Sequence, residues 1–148
     1  MKAVVQRVES ASVTVKDVLV GSINTGFLVL LGVRNGDTVA DALYLARKVA
    51  NLRVFEDAQG KMNLSLKEVS GAILSVSQFT LYGDASGGNR PSFTEAAPGE
   101  IAQPLFDEFN KALIEKYNIK VETGLFGSDM RIKLVNSGPV TIIIESGK

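Results

Sequence analysis

Ala72-Ile73-Leu74-Ser75-Val76 runs without a break into Ser77-Gln78-Phe79-Thr80-Leu81. The first half is a short apolar run of the kind found in a buried strand. Strand residues two apart share a face. Leu74, Val76, Gln78 and Thr80 therefore stand in line, and the face runs apolar, apolar, amide, hydroxyl. A core face that turns polar at its end marks a pocket rim. The same pattern fits a strand running out into solvent with its polar groups satisfied locally.

A second stretch, Asn136-Ser137-Gly138-Pro139-Val140-Thr141, separates two apolar strands, Met130 to Val135 and Val140 to Glu145. Pro139 has no N–H and a fixed φ, so it does not fit inside a central ladder. Continuous pairing is expected to fail here. Asn, Ser, Gly and Pro are also ordinary turn formers. Since X–Pro bonds in folded proteins are cis in only about 5–6% of cases, the sequence leaves the isomer open.

Working toward the N-terminus, Val4 and Val8 share one parity, while Ala11, Val13 and Val15 share the other. That change of phase near Glu9-Ser10 predicts a bend or bulge. Val18 to Ile23 pairs back across a Lys16-Asp17 turn. Gly26 to Val33 is almost wholly apolar, as a strand covered on both faces should be. Asn35-Gly36-Asp37 is a turn, and Thr38 caps a helix with Asp41 three residues on. Val39, Ala42, Leu43, Ala46, Val49 and Ala50 give that helix its apolar stripe.

Asp57 to Gly60 is a further turn, and residues 82–97 form a long loop. A second helix lies within Pro98 to Tyr117, with Ile101, Leu105, Phe109, Leu113 and Tyr117 on one side. Pro104 should kink it or force a restart. Strands outnumber helices and do not alternate with them, so the class is α+β.

The 148 residues fit one domain, 1–148, with a sizeable core. No run approaches the ~18 apolar residues that span a bilayer. The opening Met1-Lys2-Ala3-Val4-Val5-Gln6-Arg7 is too polar for a signal peptide, so a cytoplasmic protein away from membranes is expected. Cys and His are absent. That removes the Ser-His-Asp triad, the Cys or His nucleophile and the thiolate or imidazole metal site. No Asp/Glu run resembles a calcium loop, so neither metal nor cofactor is expected. A hydrolase made from this chain must work with backbone donors, hydroxyls, amides or groups on its substrate. Formal net charge is zero, which argues against a grip on long duplex phosphate and allows contact with an RNA end.

The two stretches, together with Met1 to Val8, Leu28 to Val33, Tyr44 to Lys48, Asn51 to Asp57, Gly60 to Leu66 and Val121 to Gly124, resemble the D-aminoacyl-tRNA deacylase family over nearly the whole chain. The resemblance implies a curved, mostly antiparallel, barrel-like sheet with two main helices. It implies an editing hydrolase and homodimer that cleaves the ester at the aminoacylated 3′ end of tRNA. It also implies RNA-assisted hydrolysis, with the neighbouring ribose 2′-OH orienting water and little acid–base work by side chains. Ser77, Gln78, Phe79 and Thr80 then form the catalytic segment. Backbone N–H groups around Phe79 and Thr80 are the candidates for holding the oxyanion. Thr80 as a covalent nucleophile lacks an adjacent base.

The resemblance further implies a cis Gly138-Pro139 bond whose carbonyls enter the partner subunit's site and exclude L-residues, while glycine, lacking a side chain, is admitted. Arg7 either braces that segment or faces outward as a surface residue. Phe126 and Met130 resemble the pocket for the terminal adenosine, with core packing as the commoner use of such residues. Two departures from the family bear on tRNA grip. The 84–90 loop is poor in Lys and Arg, and Leu125 stands where an Arg is common. A non-catalytic RNA-binding module and a hydrolase of other small esters or amides are the competing readings.

Overall fold

The computed structural model describes residues 1–147. Its spine is β1 (Lys2–Val15), which turns through Lys16 and Asp17 into β2 (Val18–Ile23). Both turn residues have positive φ, 49° and 65°, the conformation that two-residue hairpins need. β3 (Gly26–Gly32) pairs with the first half of β1, from Lys2↔Gly32 to Val8↔Gly26. β2 pairs with the second half, from Ala11↔Ile23 to Val15↔Val18. Along its other edge β1 carries β8 (Arg131–Glu145) for nearly its whole length.

Between β3 and β8 lie α1 (Val39–Ala50), the small hairpin β4 (Arg53–Glu56) and β5 (Met62–Ser65), β6 (Ala72–Ser77), a 3₁₀ turn (Phe79–Tyr82), α2 (Gly99–Glu115) and β7 (Lys120–Thr123). β6 runs parallel to β3, and β7 parallel to β6; the other pairings are antiparallel. β2 folds over toward β6 and β7. A Cβ at Gly21 would stand 3.0 Å from the Thr123 carbonyl oxygen and 3.3 Å from Leu74 Cδ1, so glycine permits that approach. The sheet thereby curls into the barrel-like α+β core that was expected.

The curl separates two apolar clusters. Ala3, Val5, Phe27, Val29, Leu31 and Ile73 face the two helices. Val8, Ala11, Val13, Ile23, Leu28, Leu74 and Val76 fill the inside of the curl. β1 serves both clusters because its register against β8 shifts between Gln6 and Val8 and again between Val8 and Ser10. The change of phase seen in the sequence is this pair of shifts. β3 alternates between the two clusters, which is why it reads as an unbroken apolar run.

Both helices differ in detail from their predicted stripes. On α1 the buried set is Ala42, Leu45, Ala46, Val49 and Ala50, while Val39 and Leu43 are exposed. Ala42, Leu45, Ala46 and Val49 keep the i, i+3, i+4, i+7 rhythm of one face. Leu43 lies off that face, and Val39 lies in the first turn, at the end of the packed surface. On α2, Leu105, Phe109 and Leu113 are buried as expected, Tyr117 beyond its end is half-buried, and Ile101 is exposed. Ala102, Phe106 and Asn110 complete the buried face. The helix neither restarts nor breaks at Pro104, which lies on its solvent side. There the missing N–H removes one ladder bond without leaving a buried carbonyl to desolvate.

No helix among the described residues is long and apolar enough to cross a membrane.

Candidate active site

β6 ends on a last rung, where the Gln78 N–H donates to the Leu31 carbonyl at 2.9 Å. The chain then tightens into the 3₁₀ turn, held by Leu81 N–H to the Gln78 carbonyl at 3.4 Å and Gly83 N–H to the Thr80 carbonyl at 2.9 Å. The predicted alignment of Leu74, Val76, Gln78 and Thr80 on one strand face therefore fails at its end. Strand alternation stops at Gln78, and the turn carries Thr80 to its position. Such a turn leaves its first N–H groups without intrahelical partners. Among the described residues the N–H groups of Phe79 and Thr80 have no acceptor.

Both residues line a cavity of about 530 Å³. Ser77, Gln78, Phe79 and Thr80 form one wall, and Phe126 and Met130 form part of another. Val76 also lines it, together with Gly99 and Ala102 at the start of α2. The small residues on α2 leave this space open. The Phe126 ring is half-buried and lies tilted against Phe106, with centroids 6.0 Å apart. The Met130 sulfur rests on Gly124, where an added Cβ would come within 2.6 Å of it. Phe126 and Met130 thus pack and line the cavity at once.

Gln78 Nε2 donates to the Thr80 hydroxyl at 3.0 Å. Among the described residues no carboxylate or amine bonds that hydroxyl. Thr80 has an amide partner and no base. The Phe79 side chain is exposed and meets Phe93 edge-on at 5.2 Å. Phe93, Gly99 and Ala102 were not singled out in the sequence. Their contribution is bulk or the lack of it, which carries no motif.

The second predicted group lies elsewhere in the chain. β8 is one continuous strand rather than two, but it bulges. Gln6 pairs with Thr141 and Val8 with Asn136, so residues 137–140 stand outside the rungs. Pairing fails where Pro139 predicted. Gly138 has φ +127°, and the Gly138-Pro139 bond is cis. Both residues are exposed.

The bulge is braced from behind. Arg7 is 8% exposed, so it is not an outward surface residue. Its Nε donates to the Ser137 carbonyl at 3.1 Å and its Nη1 to the Val54 carbonyl at 2.7 Å. Asn136 Oδ1 accepts from the Val140 N–H at 3.1 Å. Asn136 is the bracing residue that the sequence reading passed over as a turn former. Gly138, Pro139 and Arg7 do not line the cavity of their own chain.

The 84–90 segment closes on itself by paired bonds between Asp84 and Ser92, with Arg90 its one basic residue. The Ser86 hydroxyl and N–H hold the Asp84 carboxyl below the usual carboxylate range. Among the described residues no group of three Asp or Glu side chains converges as a metal cage would.

The family described as D-Tyr-tRNA(Tyr) deacylase matches residues 4–145. A D-aminoacyl-tRNA deacylase of Chlorobaculum parvum is 57% identical over 148 residues, covering 100% of this chain and 99% of the relative. One from Desulfatibacillum aliphaticivorans is 58% identical over 146 residues, covering 99% of each. A solved structure titled c-Myc DNA Unwinding Element Binding Protein superposes with a TM-score of 0.94 at 43% identity, covering 100% of both chains.

Proposed function

Because this chain belongs to the D-Tyr-tRNA(Tyr) deacylase family, we propose that its cavity holds the aminoacylated 3′ end of tRNA and that the Phe79–Thr80 turn promotes hydrolysis of the ester there. The chain is a carboxylic ester hydrolase, a D-aminoacyl-tRNA deacylase. The single observation that carries the mechanism is the pair of unpartnered N–H groups, Phe79 and Thr80, at the cavity wall.

Water attacks the ester carbonyl carbon, and the carbonyl oxygen becomes an oxyanion. The two N–H groups receive that charge, each worth on the order of 2.7–4 kcal/mol when preorganised. The intermediate collapses, the carbon–oxygen bond to the ribose breaks, and the leaving oxygen takes up the proton that water gave. The products are the free amino acid and tRNA with its terminal hydroxyl restored. The neighbouring 2′-OH of the ribose orients the attacking water, so the side chains need not supply a base. This fits a chain without His or Cys and a Thr80 hydroxyl occupied by Gln78. Phe126 and Met130 hold the terminal adenosine by stacking and contact.

Discrimination comes from Gly138 and Pro139 of a second copy in a homodimer. Their carbonyls meet the substrate where an L-side chain would project. A D-side chain points away, and glycine has none, so glycyl-tRNA(Ala) is also cleaved. The exposure of the bulge and its absence from its own chain's cavity support a role across an interface. The setting is the cytoplasm, where aminoacyl-tRNA is made and used.

Deacylation of matched D-, L- and glycyl-tRNA tests the whole reading. Rapid release from the D- and glycyl-esters with the L-ester spared is the expected result. Equal cleavage of D- and L-esters would remove the selector, and no cleavage of any would remove the hydrolase.

A further inference from the structure

The turn that carries Phe79 and Thr80 has few restraints of its own. It is four residues long, and one of its closing bonds, Leu81 N–H to the Gln78 carbonyl, is stretched to 3.4 Å. Something outside it must fix its position, because donors aimed at developing charge lose their value when they are free to drift.

The support comes from the neighbouring rung of the sheet. Lys2 pairs with Gly32 on one side and Glu145 on the other. Gly32 has no side chain, and the turn sits in the space this leaves. A Cβ there would stand 3.1 Å from Leu81 Cβ, 3.2 Å from the Gln78 carbonyl oxygen and 3.3 Å from the Tyr82 ring. Lys2 reaches over the same turn. Its Nζ donates to the Leu81 carbonyl at 3.3 Å, pairs with Glu145 at 3.2 Å and lies 5.0 Å from the centre of the Tyr82 ring. The Lys2 and Glu145 side chains are 23% and 28% exposed, so this ion pair is screened less than a fully solvated one. Tyr82 is buried, and burial with the nearby carboxylates of Asp37 and Glu145 keeps its phenol protonated, so the ring stays neutral under the cation.

We propose that Lys2 is a positioning residue for the hydrolysis: gripping the Leu81 carbonyl and the Tyr82 ring, and anchored by Glu145, it holds the turn on Gly32 so that the Phe79 and Thr80 N–H groups stay aimed into the cavity. This rests on the reading that those two N–H groups receive the oxyanion. Lys2 touches no reacting atom and acts through the turn.

The test compares Lys2→Met, which keeps the apolar stem over Tyr82 and removes the charge and donor, with Lys2→Arg, which keeps both. Single-turnover and steady-state rates on D-aminoacyl-tRNA are measured beside backbone amide exchange and thermal unfolding. Lys2→Met is expected to lower kcat roughly tenfold, the scale of one charge-assisted hydrogen bond, with KM changed less than about twofold. Exchange should rise at Leu81 and Gly83, whose N–H groups close the turn, and not in β1 or β3, and Lys2→Arg should recover most of kcat. Gly32→Ala, which pushes the turn from below, should lower kcat in the same way.

Unchanged exchange at Leu81 and Gly83 overturns the clamp and leaves the proposed function standing. Faster exchange with unchanged kcat overturns the positioning role and the oxyanion assignment together. A kcat loss that Lys2→Arg fails to recover, matched by a fall in thermal stability, assigns Lys2 a structural part only and overturns the proposal. Wild-type protein that leaves D-aminoacyl-tRNA intact overturns the proposed function, and the positioning role with it.

Discussion

The 3₁₀ turn at Phe79–Tyr82 and the bulge at residues 137–140 both depart from regular pairing, yet they are finished in opposite ways. The turn is enclosed by its own chain. Gly32 lies beneath it, Phe93 beside it and Lys2 over it, and it opens onto a cavity within the same molecule. The bulge is held from behind, by Arg7, Asn136 and the burial of Val140, while Gly138 and Pro139 are exposed. A segment braced at its back and bare at its front is what the proposed contact with a second copy requires. The contrast is between a segment that walls a cavity of its own chain and a segment that the same chain supports but leaves uncovered, and the proposed function gives the first the hydrolysis and the second the selection.

The largest effect that would break this contrast is expected from Gly138→Ala. The backbone there sits at φ +127°, and a Cβ would come 2.8 Å from Val140 Cγ2, 3.1 Å from the Val140 nitrogen and 3.1 Å from Arg7 Nη2. Strain of this kind costs on the order of 1–3 kcal/mol, so the segment should move. Activity on D-aminoacyl-tRNA should fall roughly ten- to a hundredfold, or L-aminoacyl-tRNA should begin to be cleaved, with circular dichroism unchanged. A variant with wild-type rates and wild-type selectivity would separate the bulge from function.

Next in size is Arg7→Ala. It leaves the Ser137 and Val54 carbonyls without their donors, and hydrogen bonds to a charged group are worth about 1.5–3 kcal/mol each. Urea unfolding should show a loss of that order, and the D/L rate ratio should narrow. Stability lost with the ratio intact would make Arg7 a core residue only.

Phe126→Ala sharpens the other side of the comparison. Base–aromatic stacking is worth about 1–3 kcal/mol, so on the proposed adenosine contact KM for D-aminoacyl-tRNA should rise roughly tenfold with kcat nearly kept. A fall in kcat at constant KM would mean that the ring shapes the turn rather than holding the substrate.

The smallest effect is expected from Thr80→Ala. The hydroxyl accepts one hydrogen bond from Gln78 and has no base, so most of the rate should survive, within about tenfold of wild type. Complete loss in a folded variant, or an acyl adduct on Thr80, would replace the backbone mechanism with a nucleophilic one.

Much of the fold was legible because it rests on local periodicity. The alternation of β1, its change of phase, the unbroken apolar run of β3 and the failure of pairing at Pro139 each record how side chains and N–H groups meet their immediate neighbours. The helix stripes were legible only in part. Leu43 and Ile101 repeat at helical spacing yet face solvent, because the edge of a packed face depends on what lies opposite. The site divides in the same way. Ser77 to Thr80 stood out as a core face turning polar, whereas the turn that ends the alternation did not, since Gln78 and Thr80 keep strand spacing on paper.

The α+β class, the absence of imidazole and thiolate chemistry and the two segments that leave regular pairing could all be read from the chain alone, because composition and nearest-neighbour geometry decide those. It took the folded chain to show that Phe79 and Thr80 have unpartnered N–H groups and line a cavity, that Arg7 is buried against the Ser137 and Val54 carbonyls, and that Lys2 and Gly32 both lie against the Phe79–Tyr82 turn. Each of these joins residues far apart along the chain, and distance in space is set by the closing of the sheet rather than by any local preference.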